Sequence, residues 1–453
     1  MKEIAEAIGL SSDWSETGRG DLPSVFRVSD LAAASMAAVG QGVAELRMAL
    51  GHGAADISVD RRLAALWFSD SIAPQGWALP PAWDDLAGDY LAADGWIKLH
   101  TNAPHHRAAA IRALGCVESK EHVARAVAAW QAEELEAAVV AEGGVAAQMR
   151  GMTSWAEHLQ GRAVVAEPLV AWGEARPASI RDWGGAPDRP LHGVRVLDLT
   201  RILAGPVATR ALAGFGADVV RIDPVAWDEP SLAPDVTLGK RCARLDLRTD
   251  NGQARFATLL QKADVLVHGY RPDALDRLGI GADWRRSHAP HVIEASLCAY
   301  GWTGPWAKRR GYDSLVQMSS GIAEAGMARL GRDKPTPLPV QALDHATGYL
   351  IAASVLAALR DAAAGKGVRN ARLSLARTAA LLQDYPSETM SEGPLTAEAA
   401  DYAAEVEHTT WGPARRLRPA IVVEGAPMHW TIPAGPLGRH VPVWSTGPLK
   451  SGH

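Results

Sequence analysis

The spacing of apolar and polar positions changes character near residue 190, and that change divides the chain. Residues 22–70 carry alanine, leucine and valine at helical intervals, with Ser29–Asp30 offering an N-cap ahead of Leu31. Residues 82–175 open with a short strand-like run at 95–100, followed by helical runs over 105–114 and 120–142. A stretch rich in proline and glycine, 176–190, punctuates the chain. Beyond it, apolar runs of strand length at 194–199, 218–222, 264–267 and 291–297 alternate with helical runs at 206–215 and 252–262. A long alanine- and leucine-rich helix over 345–363 follows, closed by Gly365 and Gly367. Strands separated by helices imply parallel βαβ units. The expected fold is α/β, a doubly wound parallel sheet (Rossmann-like) in a large domain, with a smaller α+β domain before it. The expected division is a helical N-terminal segment at 1–80, the small domain at 81–175, a linker at 176–190, the large domain at 191–385, and a tail at 386–453 packing on the large domain.

A shift of 316 positions brings Leu22–Pro23 onto Leu338–Pro339, Gly51 onto Gly367, Ser58 onto Ser374 and Arg61 onto Arg377. This reads as a partial internal repeat, in which Val28 falls where Asp344 stands and the first copy is chemically dead. Hydrophobic residues at 47% and charged residues at 21% suit a protein with real cores. A formal net charge of −5 gives no general attraction to nucleic acid or an anionic membrane. Cys116, Cys242 and Cys298 are scattered, which fits neither a disulfide framework nor a metal site. No apolar run approaches a membrane span, and the acidic N-terminus is unlike a signal peptide. The expectation is a cytoplasmic protein with no metal and with no nucleic-acid or membrane partner.

The turn after the first strand of the large domain, Thr200 to Pro206, holds one glycine where a dinucleotide fingerprint needs three. Lys240, Arg241, Arg244, Arg248, Arg271, Arg277, Arg309 and Arg310 gather near predicted strand ends. They are either solvated surface charges or a site for a ligand with several phosphates. Asp344 stands directly before the long helix, where an aspartate serves as an N-cap. The same position keeps a carboxylate ionised by the helix dipole, and such a group can attack an activated acyl carbon. His105, His106 and His345 read as surface residues and receive no role.

The segment Gly193-Val-Arg-Val-Leu-Asp-Leu-Thr-Arg-Ile-Leu-Ala-Gly-Pro206, with those at 214–223, 239–247, 263–279, 311–313 and around Asp344, resembles the large domain of the class III CoA-transferases, the CaiB/BaiF family. Residues 86–170 are similar to that family's small domain, although here it precedes the large one, an order rearranged relative to the family. The resemblance implies an acyl-CoA:carboxylate CoA-transferase whose nucleophile is Asp344, working through a mixed anhydride and an aspartyl-CoA thioester. It implies coenzyme A, as acyl-CoA, held by Leu203, Ala204, Leu245, Asp246, Leu247, Arg248, Gly269, Tyr270, Arg271, Arg277, Arg310, Gly311, Tyr312 and Asp313. A carboxylic acid would be the acceptor and an interlaced homodimer the assembly. The family also holds α-methylacyl-CoA racemases with histidine at the position of Tyr312. A racemase or other CoA-ester isomerase, and an inactive CoA-binding subunit, are the other readings.

Overall fold

The computed structural model describes residues 2–178, 180–389 and 393–445. Seven strands form its main sheet, in the order Lys240–Arg244, Asp218–Asp223, Arg195–Leu199, Val265–His268, Ile293–Cys298, Ala371–Ser374 and Ala171–Trp172. The first six run parallel and the last antiparallel. Their residues are apolar on both faces because helices cover both sides, as at Val196, which lies between Val219 and Val265. Counting from the Arg195 strand, the order reverses between that strand and the Val265 strand. Ligands of doubly wound sheets collect at the carboxyl ends beside such a reversal.

The Asp344 helix, Ala342–Ala363, runs through the centre of the protein. Among the described residues it is the one helix long and apolar enough to cross a membrane, and it is enclosed on every side by protein. Leu343, Leu350, Ile351, Leu356 and Leu359 are each fully buried along it. Each such side chain contributes roughly 1.5–3 kcal/mol relative to exposure. One flank rests on the helix Ala204–Gly214, where Gly348 allows close approach: a Cβ there would stand 2.4 Å from the Ala204 carbonyl oxygen. The opposite flank meets the helix Val28–Ala49, with Gly42 seated against Leu356.

Residues 86–148 build a three-stranded antiparallel sheet, Gly88–Leu91, Trp96–Leu99 and Ala146–Gln148, backed by helices around their own core of Tyr90, Ile97, Val123, Leu135 and Val139. The expected single helix over 120–142 is two, Lys120–Val127 and Ala132–Ala141. Asp94, far upstream, accepts a 2.8 Å hydrogen bond from the Ala132 backbone N–H and so starts the second helix. The Val28 helix likewise begins before its expected cap. Ser29 Oγ accepts from the Leu22 N–H at 2.9 Å, and Asp30 pairs with Arg27 and Arg61, so neither caps the helix.

The helix Val28–Ala49, strand Ile57–Asp60 and helix Arg61–Trp67 lie in the same sequence order as Ala342–Ala363, Ala371–Ser374 and Leu375–Gln383. Each element of the first run starts 314 positions before its counterpart in the second: Val28 and Ala342, Ile57 and Ala371, Arg61 and Leu375. The structural offset therefore sets Asp30, and not Val28, against Asp344. Residues of the tail complete the N-terminal region: Ile421–Val423 pairs with Ile57–Asp60, and Gly412–Leu417 with Ile72–Pro74.

Candidate active site

The turn leaving the Arg195 strand is held in a conformation its sequence would not choose. Ile202 has φ 67°, the one positive value outside glycine among the described residues, and it is β-branched, for which that region is costly. Glu229 accepts a 2.8 Å hydrogen bond from the Ile202 N–H, and Arg221, itself paired with Asp223, fixes Glu229. Below the turn the buried Asp198 accepts from Thr200 Oγ1 and Thr209 Oγ1, both at 2.5 Å, and from Lys240 Nζ at 3.1 Å. Lys240 also donates to the Pro206 carbonyl at 2.8 Å. Burial drives its pKa down to about 8 despite Asp198. Lys240 therefore belongs to the scaffold, not to a polyanion site. Arg309 is likewise committed, at 2.8 Å from the buried Glu136.

The Asp344 helix begins beside this turn. It starts at Ala342, so Asp344 sits inside the first turn and is not the N-cap. Its backbone N–H donates to Asp313 Oδ2 at 2.9 Å, and Gln317 Nε2 donates to Asp313 Oδ1 at 2.5 Å. Both carboxyl groups are buried. Burial, then the neighbouring Asp313, pushes the Asp344 pKa well above the carboxylate range. Burial also raises Asp313, opposed by the bonds from Gln317 and from the Asp344 and Leu343 backbones. Two such groups cannot both ionise cheaply, and Asp313, which accepts hydrogen bonds from Gln317 and from the Asp344 backbone N–H, is the better placed to hold the charge. The expected ionised Asp344 is thus corrected: desolvation and a like charge outweigh the helix end.

The remaining residues named from sequence fall into groups. Leu203 and Ala204 lie where the strained turn enters its helix, against Gly348. Tyr312 precedes Asp313, and burial lifts its phenol to about 12. Burial and then the nearby cations Arg310 and Arg277 lower the Arg271 pKa, against the opposing charge of Asp273. Arg310 gives Nη1 to the Gly143 carbonyl at 2.8 Å. Tyr270, next to Gly269, stacks on the Arg201 guanidinium at 4.9 Å, with Trp227 at 5.0 Å. Arg248 and Arg277 are exposed and paired with Asp246 at 2.8 Å and Asp273 at 3.1 Å. Leu247 is buried in a cluster with Leu197, Val220, Phe256 and Leu266 of the large domain, and Leu245 flanks it. Asp313, fully buried, is taken up by Gln317 and the Asp344 backbone and does not reach solvent.

Of the three histidines expected at the surface, His105 is exposed but His106 and His345 are buried, as is His100. His345 is buried, stacked on Phe68 at 5.2 Å, and burial drives its pKa to about 3. His100 stacks on Tyr312 at 4.2 Å, and His106 meets the edge of the same ring at 5.9 Å. The position of His106 in the first turn of the helix Pro104–Leu114 gave no signal, because its partner ring comes from 206 positions later. A large cavity lined by Arg195, Asp218, Arg255, Lys262 and Trp444 opens at the amino ends of the strands, the end opposite Asp344.

Known proteins share this second half. A model of CoA-transferase family III matches residues 191–415. A probable fatty acyl-CoA transferase of Mycobacterium tuberculosis is 36% identical over 190 residues, covering 38% of this chain and 47% of the relative. The succinyl-CoA:glutarate CoA-transferase of Homo sapiens is 32% identical over 206 residues, covering 41% and 47%. The acetyl-CoA:oxalate CoA-transferase of Acetobacter aceti is 34% identical over 151 residues, covering 31% and 39%. A crystal structure of a Mycobacterium tuberculosis protein aligns at TM-score 0.39 and 32% identity, covering 43% of this chain and 56% of that one. The chain spans about half, or less, of the length of the curated relatives named here. Six of the seven strands of the main sheet, the strained turn and the Asp344 helix start fall inside the matched segment, so that residues 191–415 carry the match to CoA-transferase family III.

Proposed function

We propose that the protein transfers coenzyme A from an acyl-CoA to a carboxylic acid, with Asp344 as the nucleophile. The observation that carries this reading is the position of Asp344: a carboxyl group in the first turn of a helix, at the carboxyl ends of a doubly wound sheet, beside its order reversal. The Asp344 carboxylate attacks the thioester carbon, the C–S bond breaks, and CoA leaves as thiolate with an acyl-aspartyl anhydride left behind. The thiolate attacks the aspartyl carbonyl and expels the donor's carboxylate, giving an aspartyl-CoA thioester. The acceptor carboxylate then runs the two steps in reverse, and no bond energy is lost to water. The cation group Arg271, Arg277 and Arg310 suits the phosphates of CoA. The rim formed by Leu203–Ala204, residues 245–248, 269–271 and 310–313 would hold the rest.

The neutral phenol of Tyr312 favours transfer over racemisation, since a group titrating at about 12 is a poor base near neutrality. We also read residues 1–80 as a partial copy of the Asp344 region, with Asp30 silenced by its ion pairs to Arg27 and Arg61. Mass spectrometry of the intact protein after mixing with acetyl-CoA tests the main proposal. A covalent CoA adduct is expected in the native protein and none in Asp344→Asn; an equal adduct in both would remove Asp344 from the chemistry.

A further inference from the structure

His106 is 2% exposed, yet neither its Nδ1 nor its Nε2 has a hydrogen-bond partner. His100, 8% exposed, leaves Nδ1 unpartnered as well. Buried polar atoms rarely stay unpaired in native proteins, because their lost hydration then goes uncompensated. Here the three atoms belong to two rings that both contact Tyr312, the residue next to Asp313. Trp83 closes against His100 at 5.6 Å, and His105 lies 4.0 Å from His106. Among the described residues no carboxylate hydrogen-bonds to these histidines, and the cations acting on them are Arg310, Arg201 and Lys98. A neutral imidazole offers one N–H donor and one acceptor. An oxygen atom of a water or a ligand fits these nitrogens, and the positive surroundings favour an anionic ligand.

We propose that His106, with His100, forms a subsite that takes a second oxygen-bearing end of the transferred or accepting acid, so that the site selects polar-ended acids over alkyl ones. This rests on the CoA-transfer reading and adds its substrate class. An alkyl end would leave the ring nitrogens buried and unpaired, and sites built to hydrogen-bond discriminate strongly against analogues that lack the group. The relatives named above include both a fatty acyl and two dicarboxylate enzymes, and this subsite favours the second kind of acid.

The same oxygen chemistry also occurs in the amides of CoA itself, and the experiment separates the two. With acetyl-CoA as donor, the native protein is offered succinate or butanoate, acids of equal carbon number that differ in the second carboxylate. The native protein should prefer succinate in kcat/KM by at least tenfold, and His106→Phe, which keeps a ring against Tyr312, should lower that preference about tenfold. His106→Gln, which keeps a donor and an acceptor, should restore part of it. Equal use of both acids by the native protein overturns the subsite. So does an equal loss for both acids in His106→Phe, which would assign the contact to CoA. A native protein that forms no covalent CoA adduct would instead reject the transfer reading, a result distinct from either.

Discussion

Asp344 and Asp313 form a pair whose charge state is the property most open to measurement. A carboxyl whose pKa in the folded protein exceeds its unfolded value stabilises the fold at low pH, and that contribution is lost as pH rises through the folded value. Asp344→Asn removes the titration, and Gln341 remains the N-cap, so the helix start is untouched. The Tm of the variant should therefore exceed that of the native protein, with the gap widening from pH 5 to pH 8. A gap that narrows over that range would contradict the raised pKa. The nucleophile must be ionised, so the rate of adduct formation should fall as pH drops through the Asp344 pKa. Asp313→Asn takes away the like charge while its side-chain oxygen can still accept from the Asp344 N–H. The acid limb of the rate profile should then move to lower pH. An unmoved limb would mean that burial alone sets the shift.

The packing of the Asp344 helix against the helix Ala204–Gly214 depends on Gly348. A methyl group there meets the Ala204 carbonyl at 2.4 Å and Val207 Cβ at 2.9 Å, so one helix must move. Overpacking of this kind costs about 1–3 kcal/mol. Gly348→Ala should lower the urea midpoint by a corresponding amount and slow adduct formation, because the displaced helix carries the strained turn with it. A variant of native stability and rate would show that the contact relaxes without consequence. The same contact explains why the turn at Ile202 tolerates a positive φ: Glu229, Arg221 and Asp198 hold it from below while the Asp344 helix closes it from above.

The N-terminal run and the tail decide how the surface of the Asp344 helix is covered. The Val28 helix lies along that flank within one chain, Arg360 pairs with Glu45 across it, and Phe26 bridges to Pro386. A second chain is therefore not needed to bury it, although sequence resemblance implied an interlaced homodimer. Light scattering of this chain should give a particle of 48.1 kDa across concentrations. A stable dimer would point to another face, because the one beside Asp344 is already filled.

Alternating strands and helices were legible because burial on both faces, or along one stripe, leaves a local periodic record. The sheet residues from Val194 to Leu297, the turn after Leu199 and the placement of Asp344 near a helix start all follow from it. Local pattern could not reach the features set by distant partners. Asp94 starts a helix 38 positions away, Asp313 holds a backbone N–H 31 positions away, and Tyr312 receives two histidines from more than 200 positions earlier. Charge state is the extreme case. Asp344 looked ionised beside a helix dipole, yet burial and a second carboxyl beside it raise its pKa well above the carboxylate range. A pKa measures the full environment of a group, and that environment exists only after the chain has folded.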